Sequence, residues 1–284
     1  MSGSLLCSLL FALLGLAASF KVSLAESAAL LLILLAGIPH GAFDLRFAQL
    51  KWAPLLVGPI STGVFYFAIG LAMSGLCLVL PGTGLLVFLL LSVVHFAEGE
   101  GPHSLKLTAL VFGLASILLP IAFHPEAARG YLSFFVPPAH FVPLVPLLQA
   151  AGRVVFCAAA SLLAFDAWQG RRTELTERLV CLAAWLLLPP LSGFAVWFLG
   201  RHSRQHLVAC RQLFGSARGL PSDFLALSVL PLLLLIPLFL RFDPRDLNQL
   251  FAASIILVAG LTLPHIIVTR GLAHSLTVLG ARER

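Results

Sequence analysis

The chain has 284 residues, 60% of them hydrophobic and 11% charged, with a mean hydropathy of +1.02. A soluble domain carries about 25% charged residues, so this composition excludes a water-facing globular surface. The formal net charge of +6 comes from scattered Lys and Arg, with Arg171-Arg172 the one adjacent pair. Such scatter matches the basic residues that flank membrane helices and set topology, and it excludes a nucleic-acid-binding stripe.

A crossing needs about 20 mostly apolar residues. In chain order, crossings are predicted at Leu5–Phe20, Leu24–Leu45, Pro54–Leu80, Gly84–Glu98, Leu105–Phe123, Ala150–Trp168, Leu179–Leu213, Phe224–Leu240 and Leu250–Val268. The first of these has the apolar core of a signal peptide. No Lys or Arg precedes it and no cleavage pattern follows, so a retained helix is expected. Tyr131–Leu148 is apolar but interrupted by Pro137, Pro138, Pro143 and Pro146, and reads as a kinked crossing, a re-entrant segment or an interfacial loop. Trp52 and Trp168 fall near helix ends, as interfacial aromatics do. The expected fold is an all-α, polytopic transmembrane helix bundle of roughly 8–10 spans, a single integral membrane domain over residues 1–284. Counting Lys and Arg on the two sides leaves its orientation open, with a lean towards cytoplasmic termini.

The five cysteines, Cys7, Cys77, Cys157, Cys181 and Cys210, have no CxxC spacing and read as small buried hydrophobes. The nine histidines are more informative. His40, His95, His202 with His206, and His265 each close a long apolar run, so four separate helices deliver imidazole to the inner or terminal part of a span. Ionisable side chains are costly there and mark function. His202 and His206 are four residues apart and project from one helix face, a two-ligand unit for a metal. Asp44 follows His40 by four positions and Glu98 follows His95 by three. A carboxylate so placed accepts the ring N–H that a metal leaves free and fixes the tautomer. Pro39 and Pro264 precede His40 and His265 and mark places where a helix can kink and turn a side chain inward. His103, His124, His140 and His274 read as interfacial or hydrogen-bonded residues. Imidazole serves Zn, Cu, Fe and Ni. Four neutral imidazoles leave iron(II) its full charge and open positions, whereas a structural zinc closes its own coordination sphere.

The segment Gly37-Ile38-Pro39-His40-Gly41-Ala42-Phe43-Asp44 resembles the PHGxxD signature of the bacteriorhodopsin-related (Brp/Blh) family of β-carotene 15,15′-dioxygenases. Val94-His95-Phe96-Ala97-Glu98, His202-Ser203-Arg204-Gln205-His206 and Leu263-Pro264-His265 are similar to that family's later motifs, in the same order. The chain departs from the pattern at Arg201, where an aromatic residue is expected, and at Thr269-Arg270, where an acidic one is. The resemblance implies a multi-pass membrane enzyme of a bacterial or archaeal inner membrane. Such an enzyme uses Fe(2+) and O2 to cleave β-carotene, or a similar apolar polyene, into two retinal molecules that feed a rhodopsin. It implies His40, His95, His202 and His206 as iron ligands and Asp44 and Glu98 as the groups behind them. His265 would be a further ligand or a substrate-pocket residue. Two other readings use the same residues: a transporter or channel relaying protons or metal through its histidines, and a membrane di-iron desaturase or hydroxylase. The latter needs about eight clustered histidines, against the single HxxxH and absent HH here.

Overall fold

The computed structural model describes residues 2–41, 43–52, 58–98, 106–214, 240–243 and 245–270. Within these residues the chain is helical and contains no strand. Six helices are long and apolar enough to cross a membrane: Gly3–Phe20, Ile60–Val79, Pro81–Glu98, Lys106–Phe123, Pro138–Trp168 and Leu247–Thr269. The crossing expected at Phe224–Leu240 lies outside the described residues save for its last position. Leu31, Val64, Leu86 and Leu90 are more than half exposed on the outside of the bundle. An apolar exterior over helices that satisfy their own backbone is the arrangement a bilayer demands. The protein is a multi-pass membrane protein.

Helix α1 (Gly3–Phe20) begins where Ser2 Oγ accepts the Leu5 amide at 3.4 Å, and it ends at Lys21 in extended backbone. Helix α2 (Val22–His40) follows at once, then α3 (Asp44–Trp52), α4 (Gly58–Val79), α5 (Pro81–Glu98) and α6 (Lys106–Phe123). The crossing expected at Leu24–Leu45 therefore closes at His40, and Asp44 opens the next helix. Prolines set several boundaries, because the ring fits a first turn that has no amide to spare. Pro125 starts α7 (Pro125–Leu132) and Pro138 starts the short α8 (Pro138–Phe141). One 3₁₀ turn, Val142–Leu144, then leads into α9 (Val145–Trp168). The proline-broken stretch Tyr131–Leu148 is thus the end of one short helix and the lead-in to α9.

The long apolar run Leu179–Leu213 is two elements rather than one crossing. Helix α10 (Arg172–Leu187) stops at Leu188, which is extended before Pro189, and α11 (Pro190–Trp197) starts afresh at Pro190. The residue before a proline is driven out of the helical region by contact with the ring. Helix α11 then passes without interruption through a π turn, Phe198–Ser203, into α12 (Arg204–Phe214). Helix α13 (Leu247–Thr269) closes the described chain, with Asp246 capping its start through Asn248 N at 2.9 Å.

Two close helix crossings bring the later site together. A Cβ on Gly70 of α4 would stand 2.7 Å from the carbonyl of Gly260 on α13, so only glycine allows these helices to approach so nearly. A Cβ on Gly113 of α6 would meet Val93 O and Ala97 N at 2.8 Å, pressing α6 onto the turn of α5 that carries His95.

A buried network of charges ties α10 to the π turn. Arg201 Nη1 donates to Glu177 Oε2 at 2.8 Å, and Arg204 Nη2 reaches Glu177 Oε1 at 3.3 Å. Nearby, Arg178 is buried against Asp166, and its guanidinium lies 5.1 Å from the ring centre of Phe112. Charge buried in an apolar interior is tolerable only when paired, as here. Arg201, anomalous by the family pattern, has this structural employment. Of the cysteines, Cys157 is exposed and the other four are buried.

Candidate metal centre

Three elements distant in sequence bring imidazoles to one place. His95 sits in the last turn of α5, His202 in the π turn with His206 one turn on, and His265 in α13 just after Pro264. His95 Nε2 and His202 Nε2 are 3.1 Å apart. The His95 ring lies 4.7 Å from that of His265 and 4.9 Å from that of His202, centre to centre, and His206 lies 5.1 Å from His265. His95, His202 and His265 are all buried. A π turn widens the helix by one residue and often serves a functional position. Here it turns His202 inward, where the ring stacks on Trp197 (5.2 Å, 24°) and Phe198 (5.8 Å, 26°).

Asp44 stands behind His265. Its Oδ1 is 2.8 Å from His265 Nδ1, and its Oδ2 accepts the Tyr66 hydroxyl at 2.5 Å. An ionised carboxylate only accepts, so Nδ1 of His265 carries the proton and Nε2 keeps its lone pair. The sequence spacing pairs Asp44 with His40; the fold gives it His265. The side chain of His40, with those of Ile38 and Pro39, lies outside the described residues, although its backbone closes α2 and Gly41 borders the same cavity. Glu98, expected to stand behind His95, pairs with an arginine at the end of the last described helix. Its carboxylate turns outward to Arg270 Nε at 3.0 Å, at a half-exposed helix end. His206 Nε2 faces Cys210 Sγ at 3.3 Å along its own helix. Among the other histidines, His140 is exposed and His124 half-buried, while His103 and His274 lie outside the described residues.

The centre opens on an apolar cavity of about 240 Å³. Leu34, Phe88, Ile117, Phe194 and Phe251 are among its walls, His95, His202 and His265 border it, and Tyr131 lines it as well. Next to the cavity a second carboxylate is fully buried. Glu26 of α2 accepts Tyr131 Oη at 2.7 Å, the amides of Leu191 and Ser192 at 3.2 and 2.9 Å, and Ser192 Oγ at 2.9 Å. It thereby caps the start of the helix that leads to His202. The sequence reading passed over Glu26, Tyr66 and Tyr131. The signal was present: an acid within a predicted span, and only two tyrosines in the chain, each of which donates to a buried carboxylate.

One pair of donors, His95 and His202, has the spacing of two ligands on a first-row divalent ion. Two nitrogens bound to one ion at about 2.0–2.1 Å stand about 2.8–3.4 Å apart between octahedral and tetrahedral angles, and the His95–His202 separation falls in that interval. The same separation suits an N–H···N hydrogen bond. Among the described residues no group of three or more His, Cys, Asp or Glu is placed to hold a metal ion, and the His40 side chain is outside that set.

Fold and site together define an integral membrane protein with a buried histidine centre that faces a hydrocarbon-lined cavity. The chain belongs to the β-carotene 15,15′-dioxygenase family, whose profile matches residues 31–273. It is 25% identical over 187 residues to the β-carotene 15,15′-dioxygenase of uncultured marine bacterium 66A03, an alignment that covers 63% of this chain and 66% of that relative. The match thus spans slightly under two thirds of the relative's length. No solved structure matches the chain significantly.

Proposed function

We propose that this protein is an iron(II)-dependent dioxygenase that splits β-carotene at its central 15,15′ double bond with O2 to give two retinal molecules. The observation that carries the reading is the convergence of His95, His202 and His265 on an apolar cavity in a chain of this family. His40 and His206 complete the proposed ligand set, with His265 presenting Nε2. Iron(II) held there would supply the binding and activation of dioxygen.

The chain's own residues do the rest. Asp44 holds the proton of His265 on Nδ1, and Tyr66 fixes Asp44 from the other side. Trp197 and Phe198 hold the plane of the His202 ring. Phe88, Ile117, Phe194 and Phe251 bind a polyene by removing its surface from water, at about 25 cal/mol per Å². The same walls keep water from the reacting bond. The position of the histidines along the cavity selects which double bond faces them. Adding both atoms of O2 across one C=C bond transfers no proton overall. A site whose buried carboxylates, Asp44 and Glu26, are both committed to protein donors suits that chemistry.

The substrate reaches such a cavity from the bilayer, so the reading places the enzyme in a cell membrane, where its product is available to a retinal-binding rhodopsin. The test is expression in β-carotene-producing cells, with pigment and retinal measured by chromatography. Loss of β-carotene with matching gain of retinal, abolished by His95→Ala and His202→Ala, supports the proposal. Undiminished turnover in either variant would remove the ligand assignment, and no retinal from the unaltered protein would remove the function.

A further inference from the structure

Among the described residues six hydroxyl groups line the cavity: Tyr66, Ser92, Ser116, Tyr131, Ser254 and Thr262. Five of them donate within the protein. Tyr66 and Tyr131 donate hydrogen bonds to Asp44 and Glu26. Ser116, Ser254 and Thr262 donate to the helix carbonyls of Gly113, Leu250 and Val258 at 2.7–2.8 Å. Ser92 differs. It is 2% exposed, and its Oγ has no hydrogen-bond partner among the described residues. Leaving a buried hydroxyl unpaired is costly, and natural proteins seldom accept it without a use for it. Ser92 precedes His95 by three residues on α5, so the two share one helix face and border the same cavity.

We propose that Ser92 Oγ is the hydrogen-bond donor for the aldehyde oxygen of retinal in the cavity. The inference rests on the cleavage reading and deepens it. β-Carotene is a hydrocarbon and offers no acceptor; each product carries one carbonyl oxygen at the carbon that was cut. The reaction creates that oxygen beside the histidines, one helical turn from Ser92. The hydroxyl therefore has nothing to bind before cleavage and a partner after it. Ser92 separates product from substrate by hydrogen bonding, whereas the other five hydroxyls of the wall are already engaged within the protein. Its consequence is product retention: retinal competes with β-carotene more strongly than its apolar surface alone would allow.

The test compares the unaltered protein with Ser92→Ala and Ser92→Thr. Inhibition of β-carotene cleavage is measured with retinal and with the hydrocarbon that has the same polyene and a methyl group in place of the aldehyde. Loss of one neutral hydrogen bond should weaken inhibition by retinal about three- to tenfold in Ser92→Ala. It should leave inhibition by the hydrocarbon unchanged, and Ser92→Thr should restore the difference. A readout independent of turnover is the carbonyl stretch of retinal bound to the purified protein, by infrared difference spectroscopy. It should be lowered in the unaltered protein and in Ser92→Thr, and should return to the value of non-hydrogen-bonded retinal in Ser92→Ala. Equal weakening for retinal and hydrocarbon would mean a packing effect and would overturn the proposal, as would an unshifted carbonyl in the unaltered protein. That last measurement decides even if Ser92→Ala fails to fold. If the unaltered protein makes no retinal, the cleavage reading fails by itself, and the stretch still reports whether Ser92 meets an aldehyde.

Discussion

Asp44 Oδ1 and His265 Nδ1 are 2.8 Å apart although 221 positions separate the residues in sequence. The pair joins the N-terminal PHGxxD segment to the last described helix, and Tyr66 closes the arrangement from α4. Three elements thus fix the orientation of one imidazole.

That linkage makes Asp44 a positioning residue for the centre. If the centre holds iron(II) as proposed, with His265 a ligand, Asp44→Ala should lower iron affinity about 10- to 100-fold, the usual cost of removing a carboxylate behind a ligating histidine. Tyr66→Phe should do less, because His265 keeps its carboxylate. Iron per chain after dialysis against graded chelator separates the two. An Asp44→Ala protein that holds iron as tightly as the unaltered chain would count against His265 as a ligand.

Glu98 gives the contrasting case. Its partner Arg270 is exposed, and surface ion pairs contribute about 0–1 kcal/mol. Glu98→Ala should keep iron content and turnover within about twofold of the unaltered protein. A loss comparable with that of Asp44→Ala would show that the carboxylate acts on His95 after all.

Glu26→Ala removes an acceptor shared by a tyrosine hydroxyl, a serine hydroxyl and two helix amides. Each buried donor left unsatisfied costs about 1–3 kcal/mol, so a loss of at least about 3 kcal/mol is expected. Thermal unfolding in detergent reads it as a lowered Tm. Iron occupancy should fall with it, since the capped helix leads to His202.

Arg201→Ala strips Glu177 of its 2.8 Å partner inside the bundle. Breaking one side of a buried pair typically costs about 3–5 kcal/mol. Replacement of both residues by apolar ones, Arg201→Met with Glu177→Leu, should recover much of that loss. Denaturation of the single and double variants measures the coupling directly.

Ile117→Trp fills the cavity from α6 without touching the histidines. Iron should be retained and cleavage lost, a split visible by metal analysis beside retinal assay. Full turnover in this variant would mean that the polyene lies elsewhere.

Much of this was legible in the sequence for a simple physical reason. An apolar run of span length cannot be soluble, and an imidazole within it is too costly to be incidental, so the membrane fold and His95, His202, His206 and His265 were readable residue by residue. Helical spacing also put His202 and His206 on one face, but it did not reveal the partners the two carboxylates have in the fold. Spacing within a helix states which side chains can meet, not which do: Asp44 turned to His265 and Glu98 to Arg270. The π turn, the Leu188–Pro189 break and the saturation of Glu26 arise from contacts between helices far apart in the chain. Tertiary packing alone decided them, because only the assembled bundle determines which buried donor faces which acceptor.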